Sequence, residues 1–286
     1  MIGVLVISVG TAVVVVRDAA TSTGGHGSAR HDTTVTVARS APAGTAVVTA
    51  ALTRLQAGKW IAQQVNPAAI VACDPEMCSA LQASGVPAAR LLALPLSATD
   101  PLGADLVVAT PAVRGQFGPR LSSVYAPQVI ASFGSGADRI DVRSVAPDGA
   151  AAFEAALTAD QADRASAGQQ LLRNENIRVS AAARADLTAG DVDPRLLTAL
   201  AALAAQHQVT IESFGDRAPG TADTPLRGAE LGTATRDALG PMLSFLDAQR
   251  TPYLPAQANL VPAQRGQYLL SVRYDAPSPF GLGAGR

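Results

Sequence analysis

The chain has 286 residues, 48% of them apolar, with 22 basic and 23 acidic side chains and a formal net charge of −1. That length holds a membrane segment and two modest folded domains. Near-zero charge, with basic residues scattered singly, removes the electrostatic drive toward phosphate and excludes a nucleic-acid-binding role. Lys59 is the only lysine, arginine standing everywhere else, and alanine dominates the helical stretches. This is the bias of a high-GC genome of the actinobacterial kind.

Ile2 to Val16 is an almost unbroken apolar run, and no lysine or arginine precedes Arg17. It is shorter than the ~20 residues a helix needs to cross a bilayer, and no basic residue holds its amino end in the cytoplasm. The favoured reading is a single-pass membrane anchor over residues 1–16, its true start lying upstream of Met1. The alternatives are the apolar core of a cleaved signal peptide, for which Asp18-Ala19-Ala20 is a poor cleavage signal, and a buried element of a cytosolic domain. Residues 17–46 carry Gly24, Gly25, Gly27 and Ser28 with few large apolar side chains, so burial cannot offset the entropy of ordering them, and a flexible linker is expected. His26 and His31 lack the cysteine or acidic partners that would fix a metal's geometry.

Residues 47–146 read as an α/β domain. Val48, Ala51, Leu52, Leu55, Trp60, Ile61 and Val65 recur at helical spacing and predict an amphipathic helix with one packing face, closed by Asn66-Pro67. A strand over Ala69 to Cys73 leads into a helix capped by Asp74, with Pro75 in its first turn, Met77 and Leu81 facing inward and Gly85 at its end. Arg90 to Leu94 and Asp105 to Thr110 read as short buried strands, and Pro111 to Phe117 as a helix. Gln128 to Phe133 and Arg139 to Val145 form a hairpin turning at Gly134-Ser135-Gly136-Ala137. The sum is a two- or three-layered sandwich around a small, mostly parallel sheet.

Residues 147–276 read as a second, α+β domain. An alanine-rich helix runs from Ala150 to Leu172. Ser180 caps a helix ended by Gly190, and Asp193-Pro194 opens another whose Leu196, Leu197, Leu200 and Leu203 pack inward up to His207. Val209 to Phe214 is a strand, Thr235 to Gln249 a helix, and Asn259 to Val261 with Gln267 to Tyr274 a closing hairpin through Arg265-Gly266. Phe214 to Glu230 is left as a loop, and 277–286 as a disordered tail.

Two resemblances follow from these patterns. The order of Trp60-Ile61 in a helix, a strand ending at Asp74, Asp105 to Arg114, and Val129-Ile-Ala-Ser-Phe-Gly-Ser-Gly-Ala-Asp-Arg-Ile-Asp-Val-Arg143 resembles the extracytoplasmic soluble domain of bacterial dolichyl-phosphate-mannose-protein mannosyltransferase-like glycosyltransferases, over residues 48–146. In that family glycosyl transfer belongs to the multi-spanning membrane part, so the likeness implies an envelope-facing accessory module rather than a transferase. Ile177 to Leu187, Gly190-Asp-Val-Asp-Pro-Arg195, the leucine-rich helix, His207 and the strand from Val209 are similar, over residues 170–275, to zinc D-alanyl-D-alanine peptidase-like domains. There a histidine and an aspartate follow the strand and hold zinc. Here Asp223 to Leu231 contains no histidine, Glu230 stands near the aspartate's place, and His207 precedes the strand, which implies a peptidase-like domain that has lost its metal.

The remaining constellations carry little reactive chemistry. Cys73 and Cys78 could close a small disulfide loop in an oxidising compartment, or remain two buried thiols; the electropositive turn and two-residue spacing of a redox pair are missing. Gly134-Ser135-Gly136 lies between strands, where a hairpin turn is favoured over a phosphate cradle. His207, at a helix end, is satisfied by the helix carboxyl terminus rather than serving as a hydrolase base. Asp216, Arg217, Asp223, Arg227 and Glu230 form a mixed-charge loop suited to a sugar, a peptide stem or a partner surface. The expected function is that of a non-catalytic, membrane-anchored protein of the cell envelope, with soluble parts outside the cytoplasm, that binds a cell-wall polymer or a partner membrane protein and needs no cofactor. The alternative is a wall-modifying hydrolase using the acidic residues of the 214–230 loop.

Overall fold

The structure is a computed structural model and describes residues 43–233 and 236–281. The expected anchor over 1–16, the linker up to residue 42, His26, His31 and the end of the tail, 282–286, lie outside the described residues. Among the described residues no helix is long and apolar enough to cross a membrane.

The first sheet is assembled from elements whose boundaries are written locally. Helix α1 (Ala43–Gln64) precedes strand β1 (Val71–Cys73). Helix α2 (Pro75–Ala83) starts where Asp74 accepts from the Met77 amide, with Pro75 in the first turn where its missing N–H costs nothing. Strands β2 (Leu91–Ala93) and β3 (Leu106–Ala109) follow, then α3 (Pro111–Phe117), capped in the same way by Thr110, and the hairpin of β4 (Val129–Phe133) and β5 (Ile140–Ser144). The strand order is β2-β1-β3-β5-β4. β1 pairs in parallel with β2 and β3, whereas β5 is antiparallel to both β3 and β4. The sheet is therefore mixed, not mostly parallel, because β5, antiparallel to β4 across their short turn, inserts beside β3 and runs antiparallel to it as well.

Helices cover both faces. Ile61, Met77 and Leu81 meet Val71, Val108, Ile130 and Ile140 on one side; Val113, Phe117 and Tyr125 meet Ala72, Val107 and Ala109 on the other. β1 and β3 are buried on every residue, which is why both read as continuous apolar runs. α1 corrects the expected packing face. Thr53, Ala57, Ile61 and Val65 are the residues turned inward, while Val48, Leu52 and Leu55 are exposed on the opposite side. The sequence holds two apolar stripes on one helix, and periodicity alone merges them.

In the second half, α4 (Ala150–Leu172) runs into β6 (Ile177–Val179), α5 (Ala181–Ala189), α6 (Pro194–Ala204) and β7 (Val209–Gly215). Ser180 and Asp193 cap α5 and α6, and Gly190 ends α5 in the left-handed conformation. Then come β8 (Gly228–Thr233), α7 (Leu239–Asp247) and the antiparallel pair β9 (Gln257–Pro262) and β10 (Tyr268–Arg273). The sheet order is β6-β7-β8-β10-β9, with only β6 and β7 parallel. Leu187, Leu196, Leu200, Leu203, Met242 and Leu246 pack on Ile211, Leu231 and Leu270. β8 takes in the last three residues of the expected 214–230 loop and runs on to Thr233. Its inward residues are only Ala229 and Leu231, set between Gly228, Glu230 and Gly232, too weak an alternation to mark a strand.

The two sheets, each with its own core, lie within one compact unit. Val65 bridges to Ala276, and Asn66 N–H and Gln64 C=O both bond Ala276. On the other side the Ser132 amide at the β4 edge donates to Pro219 C=O at 2.8 Å. The expected tail is also corrected at its start, because Ser278 Oγ donates to Asp193 at 2.6 Å, Gly281 N–H reaches Asp160, and Phe280 packs edge-on against Phe153 with ring centroids 5.0 Å apart.

Candidate functional site

The five charged residues proposed as one binding loop serve separate purposes. Arg227 is buried, donating to Tyr274 C=O at 2.9 Å and Gln64 Oε1 at 3.3 Å; burial pulls its pKa below the ordinary guanidinium value, with nearby Asp216 opposing. Asp216 adopts a left-handed backbone and lies 3.9 Å from Arg273 Nε. Arg217 closes its own loop, donating to the carbonyls of Ala222 and Thr224, and lies 3.5 Å from Asp191. Asp191 is a like-charged neighbour of Asp186, whose pKa is raised by burial first and by this neighbour second. Glu230 stands exposed on β8, accepting from Ser213 Oγ at 3.4 Å. Of the five, Asp223 alone lines the groove described below.

The other sequence candidates are placed as follows. Cys73 ends β1 and Cys78 sits in α2, both buried, with their sulfurs bonded and Cα atoms 5.3 Å apart. Gly134 to Gly136 is the turn of the β4–β5 hairpin, closed by a 3-10 turn at Gly136–Asp138. Its close approach to α1 leaves a Cβ on Gly134 only 2.9 Å from Thr53 Cγ2. His207 lies half-buried just past α6, its amide bonded to Leu203 C=O. Among the described residues no group of three or more histidine, cysteine or acidic side chains gathers as a metal centre requires.

A buried charge network lies where the two halves meet, and Gln64 makes its hydrogen bonds across them. Asp193, fully buried, caps α6 and accepts from Arg195 Nε at 3.0 Å and Nη2 at 2.7 Å, as well as from Ser278. Arg195 also reaches Asp275 C=O at 2.6 Å and lies over the Tyr274 ring, 5.0 Å from its centroid. Gln64 at the end of α1 accepts from Arg227 and Arg273, and Arg90 donates to the carbonyls of Asn66 and Ala69. The Tyr274 hydroxyl, which donates to Tyr253 C=O, has its pKa pushed up mainly by burial. The hydrogen bonds of this network join parts of the fold to one another.

The open polar surface lies elsewhere, where both halves meet at the start of β4. A groove of about 440 Å³ runs between Pro127 to Val129, the first turns of α4 and the loop 220–223. Phe153 and Leu157 supply apolar wall, one helical turn apart, while Gln128, Arg139, Glu154, Thr221 and Asp223 supply polar groups. Arg139 is fixed at Nε by Asp141 Oδ1 at 2.6 Å, leaving both terminal nitrogens unbonded among the described residues. Asp141 is itself buried and held by Ser132 Oγ at 2.6 Å, so the guanidinium is oriented from beneath. Loop and strand touch so closely that a Cβ on Gly220 would sit 2.7 Å from Ser132 Cβ. The groove thus sets a cation and two carboxylates beside an aromatic side chain, groups that suit polar, zwitterionic or hydroxyl-rich ligands.

Compared with known families, curated proteins and solved structures, the chain matches none. The groove is thus read from its own residues. Arg139 lies inside the stretch Val129 to Arg143, and Phe153 with Leu157 is the one large-residue pair in an alanine-rich turn, but nothing local joins them to Asp223.

Proposed function

We propose that this chain is a non-catalytic protein of the cell envelope, tethered to the membrane through its apolar leader, whose folded part outside the cytoplasm binds a cell-wall polymer or a partner membrane protein through the groove of Arg139, Glu154 and Asp223. The groove carries the reading: it is open, mixed in charge, walled by Phe153, and built by both halves at once. The bonded pair Cys73 and Cys78 supports an oxidising compartment, and the resemblance of residues 48–146 to a glycosyltransferase-associated domain supports an accessory role.

The test is binding of the full chain, in mild detergent, to purified cell-wall sacculi and separately to solubilised membrane proteins. Retention on one of the two, weakened about tenfold by Arg139→Ala with Asp223→Ala as for the loss of one charge-assisted contact (~1.4 kcal/mol), supports the reading. Release of soluble muropeptides by the wild type, abolished by Glu230→Gln, would replace it with the hydrolase. Recovery of the intact polypeptide from the cytosolic fraction would remove the envelope placement.

A further inference from the structure

Each sheet has two outer strands, and three of these four edges are blunted. β2 and β6 are three residues long. β4 is bulged between Val129 and Ala131, and its Ser132 amide is taken by Pro219 C=O. β9 is the exception, six residues paired with β10 without a bulge and carrying no charged side chain. Short length, bulges, covering loops and charge are the devices that keep an edge from pairing; β9 has only Pro262, at its last position.

The ladder fixes which groups of β9 face outward. Ala263 N–H donates to Gln267 C=O at 2.8 Å, and antiparallel pairs alternate between bonded and unbonded positions. Through the register Val261 to Leu269, Asn259 to Ser271 and Gln257 to Arg273, these three residues of β9 spend their backbone groups on β10. The far side of β10 agrees, since Tyr274 N–H bonds Arg227 C=O and so sets Val272 and Leu270 toward β8. Ala258 and Leu260 therefore turn N–H and C=O away from the sheet, where no strand among the described residues pairs with them. A row that repeats every second residue is matched by the backbone of another extended chain.

We infer that the β9 edge is a docking site for an extended peptide segment of a partner protein, which adds to the second sheet as a sixth strand. The fold favours a slim occupant over a second copy of this chain. α7 packs over β9 and β10, so a copy joined antiparallel about a twofold axis would bring its own α7 onto the same face. Paired strands lie about 4.8 Å apart, whereas packed helices need about 8–10 Å between their axes. A single extended segment brings no helix. On the α7 face Ala258 packs against the core and Leu260 is 39% exposed, which suits a segment with β-branched or aromatic residues at alternate positions. This surface is separate from the groove of Arg139 and stands without it.

The experiment selects binders from a random heptapeptide library on the full chain in mild detergent, measures their affinity by fluorescence anisotropy, and follows β9 by amide hydrogen exchange. The selected peptides should carry apolar residues at alternate positions. The Ala258 and Leu260 amides should exchange fast in the free chain and slowly once a peptide is bound, with Asn259 and Val261 slow in both. Methylating alternate peptide nitrogens should weaken binding at least about tenfold. Leu260→Pro, which removes an outward N–H and spares the β10 ladder, should do the same, as should Leu260→Lys, which leaves the backbone unchanged and sets a charge on the edge. A library that yields no binder, or binders indifferent to N-methylation and to both variants, overturns the inference. Slow exchange of both outward amides in the free chain also overturns it, because the edge is then already covered. A chain that doubles its mass and returns to monomer with Leu260→Lys overturns it too, assigning the edge to a second copy.

Discussion

Asp275 stands within the field of Arg273, Arg195, Arg227 and Arg90, yet its pKa is raised because burial outweighs their combined attraction. The folded state then holds a proton more tightly than the unfolded one. Between the unfolded carboxyl value of about 3.9 and the higher folded value, stability from this group falls as pH rises. Asp275→Asn should gain stability relative to wild type on going from pH 4 to pH 7, as read by urea midpoints at the two values. A difference that stays constant with pH would remove Asp275 from the account. Asp193 is a buried carboxylate held by Arg195 and Ser278. Asp193→Ala leaves Arg195 buried without its counter-charge, α6 without its cap and Ser278 without its acceptor. Breaking such a pair from one side costs about 3–5 kcal/mol, measurable as a lower urea midpoint at unchanged slope.

At the scale of elements, close approaches set the limits. Gly168 lets α4 cross α5 so tightly that a Cβ there would lie 2.2 Å from Leu187 C=O. Gly168→Ala must push the helices apart, and a loss of about 1–3 kcal/mol is expected from the strain, despite alanine's better helix propensity. A melt raised by this substitution would show the crossing to be loose. The bridge between β1 and α2 spans a sequence separation of five. So short a loop restricts the unfolded chain by about 2 kcal/mol, and reduction should lower the melting temperature by only a few degrees. An unchanged melt, with two titratable thiols in the untreated protein, would count against the bridge. The caps of α2, α3, α5 and α6 needed no such test of neighbours, since Asp74-Pro75, Thr110-Pro111, Ser180 and Asp193-Pro194 write their own starts.

Across the whole molecule, Gln64 with Arg227 and Arg273, and Ala276 with Gln64 and Asn66, join the two halves, and one cooperative body is expected. Trp60, the only tryptophan, packs against Phe133 beside the first sheet, ring centroids 6.0 Å apart. Its fluorescence and the far-ultraviolet circular dichroism of the whole chain should therefore report one transition, and Asp193→Ala should lower both midpoints by the same amount. Two separated transitions would show the halves unfolding as the two domains expected from sequence. The contacts that join the halves are backbone and arginine contacts between residues distant in the chain, which leave no periodic trace.

What the sequence determined by itself is most of the succession of helices and strands, β6 and β8 apart, for their signals are local: a capping side chain, a proline in the first turn, a glycine after the last, an apolar run of strand length. Tertiary structure alone decided which stripe of α1 is covered, that Gly228 to Thr233 joins a sheet, that residues 277–281 are pinned, and that Arg139, Glu154 and Asp223 line one groove. Each of these depends on which surface another element offers, and complementarity between residues far apart is fixed only when the chain has closed on itself.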